Sequence, residues 1–238
     1  MPVPFLARPP APSSKRVPRA AKWVAMQLCR CVGARRNADI LYARRLEGFL
    51  STPKIRLLYR AVNGLSGRGQ IAEIGSWKGK STVVLSLAAK RAGRGETVYA
   101  IDHHLGIAED IRRHTRTPRG STWAAFLKTI ADAGVDDVVE PLRMTSLDGA
   151  RWLAQRTIQL KFLLVDGSHD EESVADDLQA FFPLVLPGGL IALDDAKPDG
   201  GFPGVYAAYR KVIEWRTRPI EWAGSLLLVQ KLSAGMPA

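Results

Sequence analysis

The 238 residues contain only two cysteines, Cys29 and Cys31. With a single residue between them they cannot easily bridge each other, so a disulfide-stapled scaffold is excluded. A reducing cytoplasm is the expected setting. No apolar run approaches the roughly 20 residues needed to cross a bilayer, which excludes a helical membrane span. Acidic residues are missing from the whole first stretch: Arg8, Lys15, Arg16, Arg19, Lys22, Arg30, Arg35 and Arg36 all precede Asp39, the first carboxylate. Most of the formal charge of +11 therefore lies in this extension. The rest of the chain is only mildly basic, so a nucleic-acid partner is not expected, though charge alone does not exclude one.

The first 38 residues are expected to form a basic, Pro- and Arg-rich extension. Residues 1 to about 20 have too little apolar content to pack, and Lys22 to Val32 could form a short amphipathic helix. Residues 39–238 form the expected catalytic domain. A hydrophobic content of 46% is ordinary for one α/β core.

Two familiar phosphate-binding loops are also incomplete. Ile71 to Thr82, IAEIGSWKGKST, reads as a short strand, a glycine turn and the start of a helix. Gly79-Lys80-Ser81 would end a G-x-x-x-x-G-K-[ST] loop, but Ile74 stands where its first glycine belongs. A G-x-G-x-x-G dinucleotide loop is not supplied either. What remains is E-x-G-x-x-x-G, with Glu73 at the strand end, Gly75 and Gly79 turning the chain, and Ser76 and Ser81 as further candidates for cofactor contact. A carboxylate there repels a pyrophosphate and suits a cationic or hydroxyl-bearing cofactor. The next strand ends in Asp102, where a ribose diol is usually held. His103 and His104 follow it, and Thr145 and Ser146, after a later strand, could bond an adenine edge.

From about Ile55 to Lys231 the chain resembles the class I S-adenosylmethionine-dependent methyltransferases, in the E-x-G-x-x-x-G loop and the acid ending the second strand. The resemblance implies a Rossmann-like α/β fold: a mostly parallel seven-stranded sheet with helices on both faces and an antiparallel edge strand. It implies S-adenosylmethionine held by Glu73, Gly75, Ser76, Gly79, Ser81, Asp102, His103, Ser146 and Asp166. The pattern itself gives a lead helix at 55–65, strands near 71–75, 97–102, 138–142 and 161–166, a helix from Val174 to Leu186, a strand at Leu190–Asp194, a helix from Tyr206 to Trp215, and a strongly apolar strand ending the stretch Glu221–Gln230, as in the antiparallel edge of the resembled fold.

A second cluster ends two hydrophobic strands: Asp166-Gly-Ser-His169 and Asp194-Asp195. Three carboxylates on one rim repel one another unless a cation neutralises them, and such hard ligands suit Mg²⁺. A neutral His169 could then take a proton from a substrate hydroxyl. This half is similar to small-molecule O-methyltransferases with a D-x-x-H segment and a downstream acidic pair, which implies Asp166, Asp194 and Asp195 as metal ligands and His169, with Asp166, as catalytic residues. The expected substrate is a small-molecule hydroxyl acceptor, a sugar or glycosylated metabolite, and a homo-oligomer is possible. The alternatives are an RNA 2′-O-methyltransferase, an NTPase resting on Gly79-Lys80-Ser81, and a cofactor-binding partner protein. The Asp176-Asp177 pair reads as solvated helix-start charge. Acceptor selection is expected from the loops at Leu105–Ser121 and Lys197–Val205.

Overall fold

A computed structural model describes residues 33–105 and 120–233. The chain divides into two compact units, Met1–Ala38 and Asp39–Ala238. Within the first, 33–38 are helical; the expected Lys22–Val32 helix lies outside the described residues, as does 106–119 of the first acceptor loop.

In the second unit, a helix α1 (Thr52–Gly64) leads into strand β1 (Gln70–Ile74), and the order continues α2 (Lys80–Ala92), β2 (Val98–Ile101), α3 (Trp123–Asp132), β3 (Val139–Leu142), α4 (Ser146–Gln155), β4 (Leu160–Val165), α5 (Glu171–Phe181), β5 (Val185–Leu193), α6 (Pro203–Val212), β6 (Thr217–Ala223) and β7 (Leu226–Lys231). The seven strands lie in one sheet, ordered β3-β2-β1-β4-β5-β7-β6. β1 to β5 are mutually parallel. β7 runs antiparallel to both of its neighbours.

Local chemistry explains the helix limits. Pro53 opens α1, where a missing N–H costs nothing. α2 ends on left-handed Gly93, whose N–H bonds the Ala89 carbonyl. Asp170 caps α5 by accepting from Ser173 N at 2.8 Å, and Glu171 and Glu172 in its first turn favour the positive helix end.

Side chains on β4 alternate between two cores, as period-2 geometry requires. Phe162 and Leu164 face α1, α2 and α3, meeting Leu58, Val83 and Phe126. Leu163 and Val165 face α4, α5 and α6, meeting Leu153, Leu178 and Tyr209. Helices therefore cover both faces, which is why the central strands are apolar without interruption.

Two sequence expectations are corrected. The Val174–Leu186 helix stops at Phe181; Phe182–Leu184 form a 3₁₀ turn containing Pro183, and Val185 already pairs with Leu160. The apolar strand expected at the end of Glu221–Gln230 is β7, but it is not the edge: β6, joined to it through a turn at Gly224 with φ +66, lies outside it.

Candidate active site

Strand order reverses at β1 and β4, the place where open α/β sheets leave a crevice beyond their carboxyl ends. The backbones there come very close. Asp166 N donates to Ile74 O at 2.9 Å. A Cβ on Gly75, whose φ is +86, would sit 2.1 Å from the Asp166 carbonyl oxygen. Only glycine fits between these two loops.

A cavity of about 480 Å³ opens at this point, within the usual size of a small-ligand site. Ile74, Ile101, Met144 and Leu147 give it apolar walls. Gly75, Asp102, His103, Ser146 and Asp166 all line it. Asp102 is fixed by two backbone donors, Trp77 N at 2.8 Å and His104 N at 2.6 Å, so its carboxylate is held rigid while bordering the cavity. Trp77 holds a positive φ of 44, and its Nε1 is buried with no partner among the described residues.

Glu73, Ser76, Gly79 and Ser81 are placed differently from the sequence expectation: none of them lines the cavity. Glu73 is fully buried behind the loop and accepts from Thr82 Oγ1, tying β1 to the first turn of α2. Burial pushes its carboxyl up to about 7, against hydrogen bonds from Ser81, Thr82 and Ser76 that lower it. Its role here is to hold the loop. Gly79, with φ +90, starts α2. Asp177, expected to be solvated, is buried in the cavity wall, where burial pushes it up to about 6 despite a bond from Ser146. Its position three residues after Val174 and four before Phe181, both buried, was the available signal.

Beside the cavity lies the second cluster. His169 Nε2 is 3.2 Å from Asp195 Oδ2, and its ring packs on Phe202 with centroids 4.2 Å apart. His169 Nδ1 is buried without a partner among the described residues. Asp195, at φ +55, also accepts from Ser225 Oγ at 2.7 Å. Burial opposes ionisation of Asp195, but the bonds from His169 and Ser225 and the Lys54 charge outweigh it and hold the carboxyl well below the usual range. Asp166 is driven the other way, far up, first by burial and then by the charges of Asp194, Asp195 and Glu73.

Lys54, from the first turn of α1, was not singled out from the sequence. Its Nζ lies 2.5 Å from Asp194 Oδ1 and 3.3 Å from Asp195 Oδ1. The signal was its register: Lys54, Leu57, Leu58, Ala61 and Val62 share the buried face of the helix.

The expected divalent cation can be tested against these contacts. The acidic pair is already engaged by an ammonium, an imidazole and a hydroxyl. Among the described residues, no group of three His, Cys, Asp or Glu side chains is arranged to hold a metal ion. The arrangement of Asp166, Asp194 and Asp195 does not fit such an ion.

Residues 72–196 match the family described as "Methyltransferase domain". The chain belongs to that family. Among solved structures, this methyltransferase is similar to the O-methyltransferase NovP, at 20% identity and a TM-score of 0.63, covering 77% of this chain and 81% of that one. It is also similar to the O-methyltransferase TomG from Streptomyces achromogenes, involved in tomaymycin synthesis and solved with S-adenosylmethionine (18%, TM-score 0.57, 78% and 82% covered). An O-methyltransferase from Bacillus cereus, solved with S-adenosylhomocysteine, matches at 17% and 0.57, covering 85% and 90%. At these identities the likeness is one of fold.

The cavity suits the methyl donor of such an enzyme. Its apolar walls can take an adenine, the fixed Asp102 carboxylate a ribose diol, and Asp166 a cationic end.

Proposed function

We propose that this methyltransferase transfers a methyl group from S-adenosylmethionine to a hydroxyl oxygen of a small molecule, a sugar or glycosylated metabolite. The observation that carries the reading is the nucleoside-sized cavity at the strand reversal with a histidine–aspartate pair beside it. Several proteins similar in fold are O-methyltransferases, one of them involved in tomaymycin synthesis, which supports an oxygen acceptor on a natural product.

When bound, the donor supplies an electrophilic methyl on a sulfonium. Asp102 would hold the ribose end and Asp166 the cationic part, as both line the cavity. His169 takes the acceptor's proton. Because Asp195 faces Nε2, the neutral ring carries its hydrogen there, leaving the Nδ1 lone pair to accept. Asp195 thus orients the base and stabilises the imidazolium that forms. The acceptor oxygen gains the methyl as its O–H proton passes to Nδ1 and the sulfur–carbon bond breaks. Phe202 packs against the same ring and helps fix its orientation.

Calorimetry tests the cofactor half: S-adenosylhomocysteine should bind one to one, and ATP and NAD should not compete. His169→Ala should lower kcat by roughly 10²- to 10⁴-fold, the usual contribution of a positioned base, with donor binding intact. Unchanged turnover in His169→Ala would assign the proton to another group.

A further inference from the structure

The acidic pair at the end of β5 carries its own cation. Lys54 reaches it from α1, a helix that sequence order places before the whole nucleotide-binding half of the sheet. The ammonium is largely buried, with 10% of its side chain exposed, and Asp194 is 6% exposed. Burial opposes the charge on Lys54, yet the two aspartates raise its affinity for the proton overall. A divalent ion in the same place would do three things: neutralise the carboxylates, fix their orientation and hold positive charge beside the base. The ammonium offsets one of the two negative charges and does the other two. It lies 2.5 Å from Asp194, it contacts Asp195 on the oxygen opposite to the one facing His169, and it places a fixed charge within the cluster. Ser225 completes the set on Asp195 Oδ1.

We infer that the Lys54 ammonium is the resident cation of the Asp194–Asp195 pair, and that Lys54 is a positioning residue which sets the His169–Asp195 dyad without a divalent metal. This rests on the methyl-transfer reading for its purpose, but its test does not require turnover. Titration of the full-length protein with Mn²⁺, followed by calorimetry and by the Mn²⁺ spin-resonance signal, should show no stoichiometric site in the wild type. Lys54→Met should gain one Mn²⁺ site, and adding Asp194→Asn should remove it. Lys54→Arg, which keeps the charge, should remain metal-free.

A wild-type site that Asp194→Asn abolishes would overturn the inference, and this arm needs no variant at Lys54 to fold. A Lys54→Met protein that is folded and still binds no Mn²⁺ would also overturn it, since the vacated position would then not be a cation site. Binding of S-adenosylhomocysteine, measured on the same samples, reports on the methyltransferase reading alone: its loss in the wild type would sink that reading and leave the metal result standing.

Discussion

Glu73 occupies the position that the loop pattern assigns to cofactor contact, yet the fold spends it on holding β1 to α2. A carboxyl raised from its ordinary 4.5 to about 7 binds its proton more tightly in the folded state than in the unfolded one. Its contribution to stability is therefore fully present below about pH 4.5 and is lost as pH rises to about 7, by roughly 3 kcal/mol at most. In the cofactor-free protein, Glu73→Gln should remove this component, so urea denaturation at pH 5 and pH 8 should show a smaller difference than in the wild type. An equal difference would mean that Glu73 is ionised across the range. At Lys54, replacement by Met leaves the buried Asp194 and the half-buried Asp195 without their cation and should cost about 3 kcal/mol, recovered in part by added Mn²⁺ if the metal binds only the folded state. Neither role could be read from the sequence. Glu73 belongs to a motif, but the motif does not say which way its side chain points. Lys54 belongs to no motif at all, and only its register on an apolar face marks it. Asp102 and Asp166 line the cavity because each directly follows a strand, which fixes both the position and the rim a residue faces, whereas Ser146 opens α4.

Elements with one dominant signal were read closely. β4, apolar but for Lys161, spans Leu160–Val165 where 161–166 was expected, and β2 spans Val98–Ile101 where 97–102 was expected. Failures came where two signals compete within a few residues. Phe182 and Val185 continue a helical stripe, but Pro183 ends it, and β5 pairs Val185 with Leu160 before Pro187, Gly188 and Gly189 break the register. In the hairpin, β6 carries Arg218, Pro219 and Glu221 and is exposed along most of its length, so no apolar run marks it before the turn at Gly224. The β1–α2 loop makes the sharpest claim at this scale. Gly75→Ala puts a Cβ against the Asp166 backbone at a φ that L-residues avoid, so the two loops must part. Loss of S-adenosylhomocysteine binding is expected, along with a destabilisation of more than about 1 kcal/mol. Retained affinity would show that the crevice tolerates a wider gap.

At the scale of the whole molecule, alternation of strands and helices fixed the α/β class, and the switch of strand order put β1 and β4 side by side, bringing together loops some ninety residues apart in the chain. The basic charge pointed elsewhere. If the extension takes no part in donor binding, deleting residues 1–20 should leave affinity for S-adenosylmethionine unchanged, and a loss of folded protein would show that the segment packs. The central claim is that the cavity beyond β1 and β4 holds a methyl donor. Calorimetric titration of the full-length protein with S-adenosylhomocysteine, beside Asp102→Ala, tests it most directly. The expected result is a single site in the wild type, weakened about tenfold or more by the variant, as loss of a charge-assisted bond of roughly 1.5–3 kcal/mol requires. Absence of binding in the folded wild type, or tight ATP binding that survives loss of Asp102, would contradict it.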